Sequence, residues 1–572
     1  MKTLNLHCDY IKFKGLKKAL KSIDDLAPEQ KMGGESKDCL VVLTAIEKGD
    51  NQESVEKLVD DVKNIAGQVK AENIVLYPYA HLSKNLGSPA SAIEILDSAE
   101  EELKKDFNVV KAPFGYYKEF ELKVKGHPLS ELSREFVIEG NDKEANEEIR
   151  EISDKERSQL LKEISKSKLD TSKLADNDHR IIGRKMDLWS FNSAAPGMVF
   201  WHPKGLHVKN KLIEFWKDLH RKAKYTEIST PQIMDRKLWE VSGHWTKFKD
   251  GMFTTSFEGK DFAIKPMNCP GGMLVYKTSP KSYRDLPLRV GELGLVHRVE
   301  LSGVLGGLMR VIQFVQDDAH IFCTENSLKN EIIKIIDLTY KLYDSFNLDI
   351  DHVELSTRPE KRIGSEKIWD MAEAALEEVL KEKKIKYVVN EGDGAFYGPK
   401  IDFHIKDSLK RTWQTSTIQL DMALPERFEL EYTDEGGNAK RPIMLHRTIY
   451  GSLERFLGVY TEHVGGNFPL WLSPNQVKVM TLNDDVADYA REVYDKLFEA
   501  GFEVELNDKS ESMGKKAREA QVQKFNYLVT VGENEKSSGK VAVRSRESKD
   551  IVEMGVEEFV EKLKAEIKER KR

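Results

Sequence analysis

The sequence predicts a multidomain chain of mixed class, with α/β modules at its two ends flanking a larger α+β block built on an antiparallel sheet. Three observations predict this. The 572 residues exceed what one hydrophobic core holds, since domains run to about 100–200 residues, and they leave room for about three to five domains. Strand and helix periodicities alternate over residues 1–137 and again over 473–572, as in strands joined through helices. Between them, residues 181–472 set short strands carrying polar residues among Gly- and Pro-dense turns, the pattern of an antiparallel sheet with a site on one face.

Composition narrows the function classes. The chain is 40% apolar and 32% charged, and no stretch approaches the ~18 uninterrupted apolar residues of a membrane span. No membrane partner is expected. The opening Met1-Lys2-Thr3-Leu4-Asn5-Leu6-His7-Cys8-Asp9 lacks the apolar core of a signal peptide, so a cytoplasmic protein is expected. Cys8, Cys39, Cys269 and Cys323 are scattered and form no disulfide framework. The net charge of −7 disfavours nonspecific coating of nucleic acid but leaves room for a local basic surface that binds a phosphate backbone.

Taken in order, the first module opens on an alternating strand and continues with an apolar strand at 40–43. A helix carrying Val55, Leu58, Val59 and Val62 follows, then a strand at 74–77 and a helix through Ile93, Ile95, Leu96 and Leu103. A strand pair around Val109-Val110 and Phe120-Glu121-Leu122 closes it. Three runs stand out: Tyr79-Ala80-His81-Leu82-Ser83, Pro113-Phe114-Gly115-Tyr116-Tyr117-Lys118, and Gly126-His127-Pro128-Leu129-Ser130-Glu131-Leu132-Ser133. Taken alone, Gly/Pro turns with aromatics are more often structural than functional. Residues 138–180 form a linker, because sixteen of the thirty residues from Asn141 to Asp170 are charged with mixed sign, as on a solvated helix.

The central block begins with an amphipathic helix over 206–223 and a strand at 228–230 that ends at Pro231, as at a sheet edge or interface. Helices are predicted over 326–346 and 365–384, with an alternating strand at 351–355 between them. Strands and turns fill 394–403 and 412–421, the latter presenting Gln414, Ser416 or Thr417, and Gln419 as a polar floor. The last module reads strand 477–480, helix 486–498, strand 502–504, helix 514–523, strand 527–531, strand 541–543, and a helix marked by Val556, Phe559, Val560, Leu563 and Ile567. That alternation predicts a largely parallel sheet.

The densest chemistry lies between Lys265 and His320. Lys265-Pro266-Met267-Asn268-Cys269-Pro270-Gly271-Gly272 carries a lone cysteine, Arg298 stands two residues before Glu300, and Phe314-Val315-Gln316-Asp317-Asp318-Ala319-His320 ends on a histidine. Farther on come His446 and Gly451-Ser452-Leu453-Glu454-Arg455. On these residues the chain resembles the archaeal type of threonyl-tRNA synthetase, a class II family, over essentially its whole length. Pro231 ends the first class II motif, Arg298 and Glu300 form the core of the second, and the segment ending at Arg455 supplies the third.

The resemblance implies a ligase that uses ATP with Mg2+ to activate L-threonine as its adenylate and then transfers it to tRNA(Thr). Arg298 would contact the α-phosphate and Glu300 the adenine amino group, with adenine stacked between Phe314 and Arg455, and Arg455 also near the γ-phosphate. The chemistry agrees, because attack on the α-phosphate builds negative charge that a fixed guanidinium neutralises with paired hydrogen bonds. Cys269, His320 and His446 match zinc ligands, one Zn2+ per subunit, although their spacing alone would not reveal them. Three protein ligands leave metal positions open, so such a zinc selects the amino acid. Asp318 would accept from the threonine hydroxyl, with Met267, Gln316, Tyr397, Gln414 and Gln419 lining the pocket. Valine would leave those polar groups unpaired.

Serine keeps the hydroxyl and lacks one methyl group, a difference worth ~1–3 kcal/mol, or roughly 10–200-fold. The first module accounts for this gap by resembling the archaeal editing domain, related to D-aminoacyl-tRNA deacylases, which hydrolyses seryl-tRNA(Thr). His81, Tyr117, Lys118 and Glu131 match its site. His244 matches a family histidine near the terminal ribose, and an indole-packed structural role is the alternative. Glu535, Arg544 and Arg546 are the anticodon contacts implied for the last module, and a homodimer is implied by the first motif. Gly272 departs from relatives with histidine there, so no imidazole role is carried over. The competing readings are a catalytically silent synthetase-like RNA-binding or regulatory protein, and a synthetase for another amino acid such as serine or proline.

Overall fold

A computed structural model of the protein describes residues 1–20, 23, 25–26, 31–83, 85–136, 153–164, 174–407 and 410–571. The chain divides into two compact units, Met1–Ile152 and Ser153–Arg572. Most of the predicted charged linker lies outside the described residues. Within it, helix Asp154–Ile164 buries none of its side chains, whereas Asp178 and His179 at its end are buried.

The first unit is a six-stranded sheet with two helices on one face. Strand β1 (Lys2–Lys18) and β2 (Gly34–Ala45) lead into helix α1 (Gln52–Val69), where Asn51 caps the first turn and Val55, Leu58, Val59, Val62, Ile65 and Ala66 form the buried stripe. Strand β3 (Asn73–Pro78) and helix α2 (Pro89–Leu103) repeat the pattern, and β4 (Asn108–Lys111), β5 (Tyr116–Val124) and β6 (Glu131–Glu135) complete the sheet. The order is β4-β3-β2-β1-β5, with β6 also on β1. Leu40 and Val42 of β2 face the helices while Val41 and Leu43 face the opposite side, the two-residue alternation of a strand. The expected pairing of the segments around Val109 and Phe120 is corrected: β4 pairs with β3 and β5 with β1, on opposite edges. A short connection invites a hairpin reading, but the parallel β2-β3-β4 ladder claims β4 first.

The second unit holds an eight-stranded sheet and a separate five-stranded one. Helix α3 (Pro203–Lys222) buries Val208, Leu212, Phe215, Trp216 and Leu219 at helical spacing. The strand predicted over 228–230 is displaced to β7 (Thr226–Glu227), which runs parallel to β8 (Leu288–His297). Thr230 leaves the ladder because its backbone N–H and hydroxyl both donate to the buried carboxylate of Glu292, each at 2.8 Å. Helix α4 (Cys269–Tyr276) precedes β8, and β9 (Gln313–Cys323) pairs antiparallel with β8. Helix α5 (Glu325–Ser345), β10 (Ile350–Ser356), α6 (Glu366–Glu382), β11 (Val388–Asn390), β12 (Lys400–Lys406), β13 (Thr412–Asp421), β14 (Ile443–Thr448) and α7 (Leu453–His463) follow. The sheet order is β11-β10-β12-β13-β14-β9-β8-β7. Helices α5 and α6 cover one face, packing Ile332, Ile335, Ile336, Leu376 and Val379 on Val353, Leu355, Ile401, Phe403 and Ile418. The opposite face carries the polar residues.

The five-stranded sheet has its own core around Val477, Val493, Val529, Val543, Phe559 and Leu563. It comprises β15 (Val477–Thr481), β16 (Val504–Asn507), β17 (Tyr527–Val531), β18 (Lys540–Ser545) and β19 (Ile551–Gly555). The expectation of a largely parallel sheet is corrected to a mixed one. Strand β15 pairs parallel with β16 and β17, but β17-β18 and β18-β19 are antiparallel. Strand β19 was not foreseen, because Ile551 and Val552 are exposed and only Met554 joins the core.

Candidate active site

Strands β9 and β14 are antiparallel neighbours in which His320 lies directly opposite His446. Cys269 enters from the first turn of α4, and all three side chains are buried. Their ligand atoms lie within 4.8 Å of one another. The His320 Nε2 atom is buried without a hydrogen-bond partner and lies 3.6 Å from Asp318 Oδ2. Asp421 fixes the ring of His446 by a 2.8 Å contact to Nε2, the kind of outer carboxylate that orients a ligating histidine. Burial, with the negative charges of Asp318 and Asp421 behind it, pushes the Cys269 thiol well above its ordinary range. One sulfur and two imidazoles, with an orphaned ring nitrogen among them, fit a tetrahedral zinc-class ion with an open position.

Residues 314, 316, 318 and 320 share one face of β9. Asn268 donates to Asp318 Oδ2 at 3.2 Å. Tyr397 donates its hydroxyl to Gln419 Oε1 at 2.6 Å, and its ring lies 5.0 Å from that of His446. These residues enclose a cavity of about 350 Å³ whose lining includes Met267, Cys269, Gln316, Asp318, Tyr397 and Gln419. Arg298, Gln316, Thr417 and Thr448 also line a second cavity of about 220 Å³. The two cavities therefore share a wall.

The second cavity is cationic. Arg298, Arg310 and Arg455 line it together with Glu300, Phe314 and Gln414. Arg298 is anchored through Nε to Pro266 O at 3.1 Å, with its guanidinium 5.3 Å from the Phe314 ring centre. Arg455 donates Nε to Met309 O at 2.9 Å, and Arg310 holds Glu300 at 2.9 Å. Burial lowers the pKa of Arg298, and burial followed by the charges of Arg310 and Arg298 lowers that of Arg455. A cavity that strains its own cations in this way favours a polyanion.

Sequence reasoning missed Arg310, which lies between β8 and β9 with no periodicity to mark it. It also missed Asp317, whose buried carboxylate accepts from the N–H groups of Ile449, Tyr450 and Gly451 at 2.8–3.2 Å. This nest ties β9 to the segment leading into α7, which carries Arg455. The signal was present, since consecutive Asp317 and Asp318 on a strand must face opposite sides.

Other candidates fall in different places. Gln414, expected in the pocket with Cys269, lines the arginine cavity instead. A β-bulge makes the difference: Phe403 pairs with Ser416 but His404 with Gln414, leaving Thr415 as the extra residue. Gln414 and Thr417 thereby share a face, both donating to Asp402 Oδ1, while Ser416 turns away and donates to Thr448 O. His244 lines neither cavity. It is wholly buried between Trp239 and Phe396, with ring nitrogens against Ser242 Oγ and Met267 Sδ, and burial pulls its pKa down to about 3. The structure thus gives His244 the indole-packed place, behind Met267.

In the first unit, Lys118 Nζ donates to Pro113 O at 2.9 Å and sits 4.8 Å from the Tyr77 ring centre. Tyr79 lies between Tyr77 and His81, and burial pulls the Lys118 pKa down to about 8. Tyr117 is exposed beside it. Glu131 does not join this group in one chain. It pairs with Leu6 on β1 whereas Lys118 pairs with Gly15, which at about 3.3 Å per residue is about 30 Å of strand. In the last module Arg544 and Arg546 line a cavity of about 520 Å³ with Lys524 and Phe525. Glu535 is not part of that lining and instead accepts from Gly532 N at 2.9 Å.

Comparison with known proteins gives three family matches. Residues 1–136 match the Archaea-specific editing domain of threonyl-tRNA synthetase, residues 253–464 the class II core domain of the G, H, P, S and T synthetases, and residues 476–566 an anticodon-binding domain. The threonine–tRNA ligase of Carboxydothermus hydrogenoformans is 52% identical over 394 residues, 69% of this chain and 62% of that protein. The corresponding ligase of Caldanaerobacter subterraneus subsp. tengcongensis is 53% identical over 390 residues, 68% of this chain and 60% of that one. The matches thus span about three fifths of the length of these curated relatives. The solved RNA-binding domain of threonyl-tRNA synthetase from Cryptosporidium parvum Iowa II is 40% identical, with a TM-score of 0.66, covering 68% of this chain and 98% of that one. Near-complete coverage of that solved relative, with an editing-domain match ahead of a class II core, shows that the chain belongs to the threonyl-tRNA synthetase family.

Proposed function

We propose that the chain is a threonine–tRNA ligase that forms threonyl-adenylate from L-threonine and ATP with Mg2+, passes the threonyl group to tRNA(Thr), and removes serine from mischarged tRNA(Thr) in its first unit. One observation carries this reading: a cavity walled by three arginines shares residues with a cavity lined by the Cys269 thiol, the His446 imidazole and the Asp318 carboxylate. The first suits a polyphosphate and the second a small amino acid. Domain limits are placed at 1–137, 138–180, 181–472 and 473–572, in keeping with family matches over 1–136, 253–464 and 476–566.

Arg298 stands at the junction, where the threonine carboxylate attacks the α-phosphorus and pyrophosphate leaves. Its fixed guanidinium offsets the charge that builds on the nonbridging oxygens. Phe314 and Arg455 provide the faces between which adenine stacks, Glu300 receives its amino group, and Arg310 holds Glu300 in place. Asp318, fixed by Asn268, accepts from the threonine hydroxyl. A zinc ion held by Cys269, His320 and His446 would supply open positions for the amine and hydroxyl. In the first unit, Lys118, Tyr117 and His81 line the place for the seryl ester, where hydrolysis cleaves the bond between serine and the terminal ribose. A cytoplasmic homodimer is proposed, supported by exposed Phe200, Leu206 and Ile233 around α3.

The test is threonine-dependent exchange of pyrophosphate into ATP by metal-loaded protein. Exchange that requires threonine supports the ligase, and its absence returns the chain to the silent RNA-binding reading. Cys269→Ser is expected to abolish exchange. Threonine exchange at the parent rate by that variant would remove the cysteine from selection.

A further inference from the structure

A second set of ligating side chains lies on the polar face of the large sheet and lines neither cavity. His352 and Glu354 on β10 alternate onto the face where His404 of β12 stands directly opposite His352. One ligand atom from each falls within 4.8 Å of the others. His352 Nε2 lies 3.2 Å from Glu354 Oε1, and His404 Nε2 lies 3.6 Å from Glu354 Oε2. The two imidazoles stack at 4.3 Å with their planes 11° apart.

The surroundings fix these groups as ligands would be fixed. His352 Nδ1 lies 2.9 Å from Asp351 Oδ2, and Lys406 holds that carboxylate from its other oxygen at 2.6 Å. With its proton on Nδ1, His352 turns the lone pair of Nε2 toward Glu354. The carboxylate is itself positioned by Asn390 Nδ2, 3.0 Å from Oε2. The Nε2 of His404 is buried with no hydrogen-bond partner, 3.6 Å from the same carboxylate. When both ring nitrogens turn lone pairs toward the carboxylate, the three donors aimed at one point repel unless a cation lies between them. A bound metal ion satisfies all three at once, whereas one proton satisfies only a pair.

The geometry points to a second metal site in which His352, Glu354 and His404 bind a zinc-class divalent ion. Imidazole and carboxylate donors suit Zn2+, Co2+ or Ni2+, and with no thiolate the site differs in softness from the Cys269 cluster. All three side chains are half-buried, so water has access to the remaining coordination positions. The ion would pin β10 to β12 on the side of the sheet opposite α5 and α6.

Cobalt titration of the chelator-treated full chain tests this. The parent is expected to take up about two equivalents, one with a thiolate charge-transfer band and one with only the d–d absorption of nitrogen and oxygen ligands. The double variant His352→Ala/His404→Ala is expected to fall to about one equivalent and keep the thiolate band. Cys269→Ser is expected to keep about one equivalent and lose that band, a readout independent of whether the double variant folds. Glu354→Gln, nearly isosteric, is expected to weaken uptake of the band-free ion only. Unchanged stoichiometry in the double variant, or no ion bound by Cys269→Ser, overturns the proposal.

Discussion

Single residues decide how firmly Asp318 is held. Gly294 of β8 has no room for a side chain, since a Cβ there would lie 2.0 Å from Asn268 Oδ1. Asn268 is wholly buried and cannot swing aside, and its other amide atom holds Asp318. Gly294→Ala is therefore expected to push Asn268 off Asp318 and loosen the carboxylate proposed to accept the threonine hydroxyl. Threonine activation should weaken by about 10-fold, the loss of about one charge-assisted hydrogen bond, and selectivity over valine should fall with it. Steady-state exchange with the two amino acids reads both. A second residue-scale case is Lys118, whose pKa falls to about 8 through burial. Between about pH 8 and the unfolded value of about 10.4, the unfolded chain binds more protons, so stability rises with pH across that window. Lys118→Met is expected to raise the melting temperature of the first unit below pH 8, with the gain shrinking as pH rises through that range. An equal gain at every pH would show that the buried charge is not its cause.

Elements bring together what the sequence keeps apart. The three groups of the thiol–imidazole cluster lie at positions 269, 320 and 446, a spacing with no signature of its own, and family resemblance found them where pattern could not. Their meeting is a property of sheet register, His320 opposite His446. The bulge at Thr415 was equally invisible, since one extra residue leaves no mark on polarity yet sends Gln414 to the arginine cavity and Ser416 to the helix side. Helices were more legible: the buried stripes of α1, α3 and α6 lie where apolar spacing puts them, because helical burial depends on local periodicity alone. The contact between β9 and the start of α7 depends on Asp317, and Gly451 enters that helix at φ 79°, where a side chain would be strained. Asp317→Ala would leave three buried N–H groups unpaired, at a cost of about 3 kcal/mol. Urea unfolding of the second unit should show that loss. Exchange activity should fall as well, because the displaced segment carries Arg455.

At the scale of the whole molecule, the proposed function divides selection between two compact units, because one pocket cannot do both parts of it. On that proposal the pocket holding Asp318 would reject valine by leaving polar groups unpaired, but would meet serine with every polar contact intact. A missing methyl group is worth only ~1–3 kcal/mol, so a threonine-activating site would form seryl-adenylate at a rate it could not suppress. The separate first unit, with its own cores on both faces of its sheet, can act on the product without constraining the pocket that makes it. The editing site proposed there includes Lys118, held by Pro113 O against Tyr77. Lys118→Ala is therefore expected to leave threonine exchange and threonylation at the parent rate while seryl-tRNA(Thr) accumulates on incubation with serine and ATP. The effect should approach the roughly 10–200-fold discrimination left to the synthetic site alone. Acid-gel or thin-layer separation of the aminoacyl group measures it. Equal deacylation of seryl-tRNA(Thr) by parent and variant would take Lys118 out of the editing chemistry, and a parallel loss of threonylation would show that the two units do not select independently.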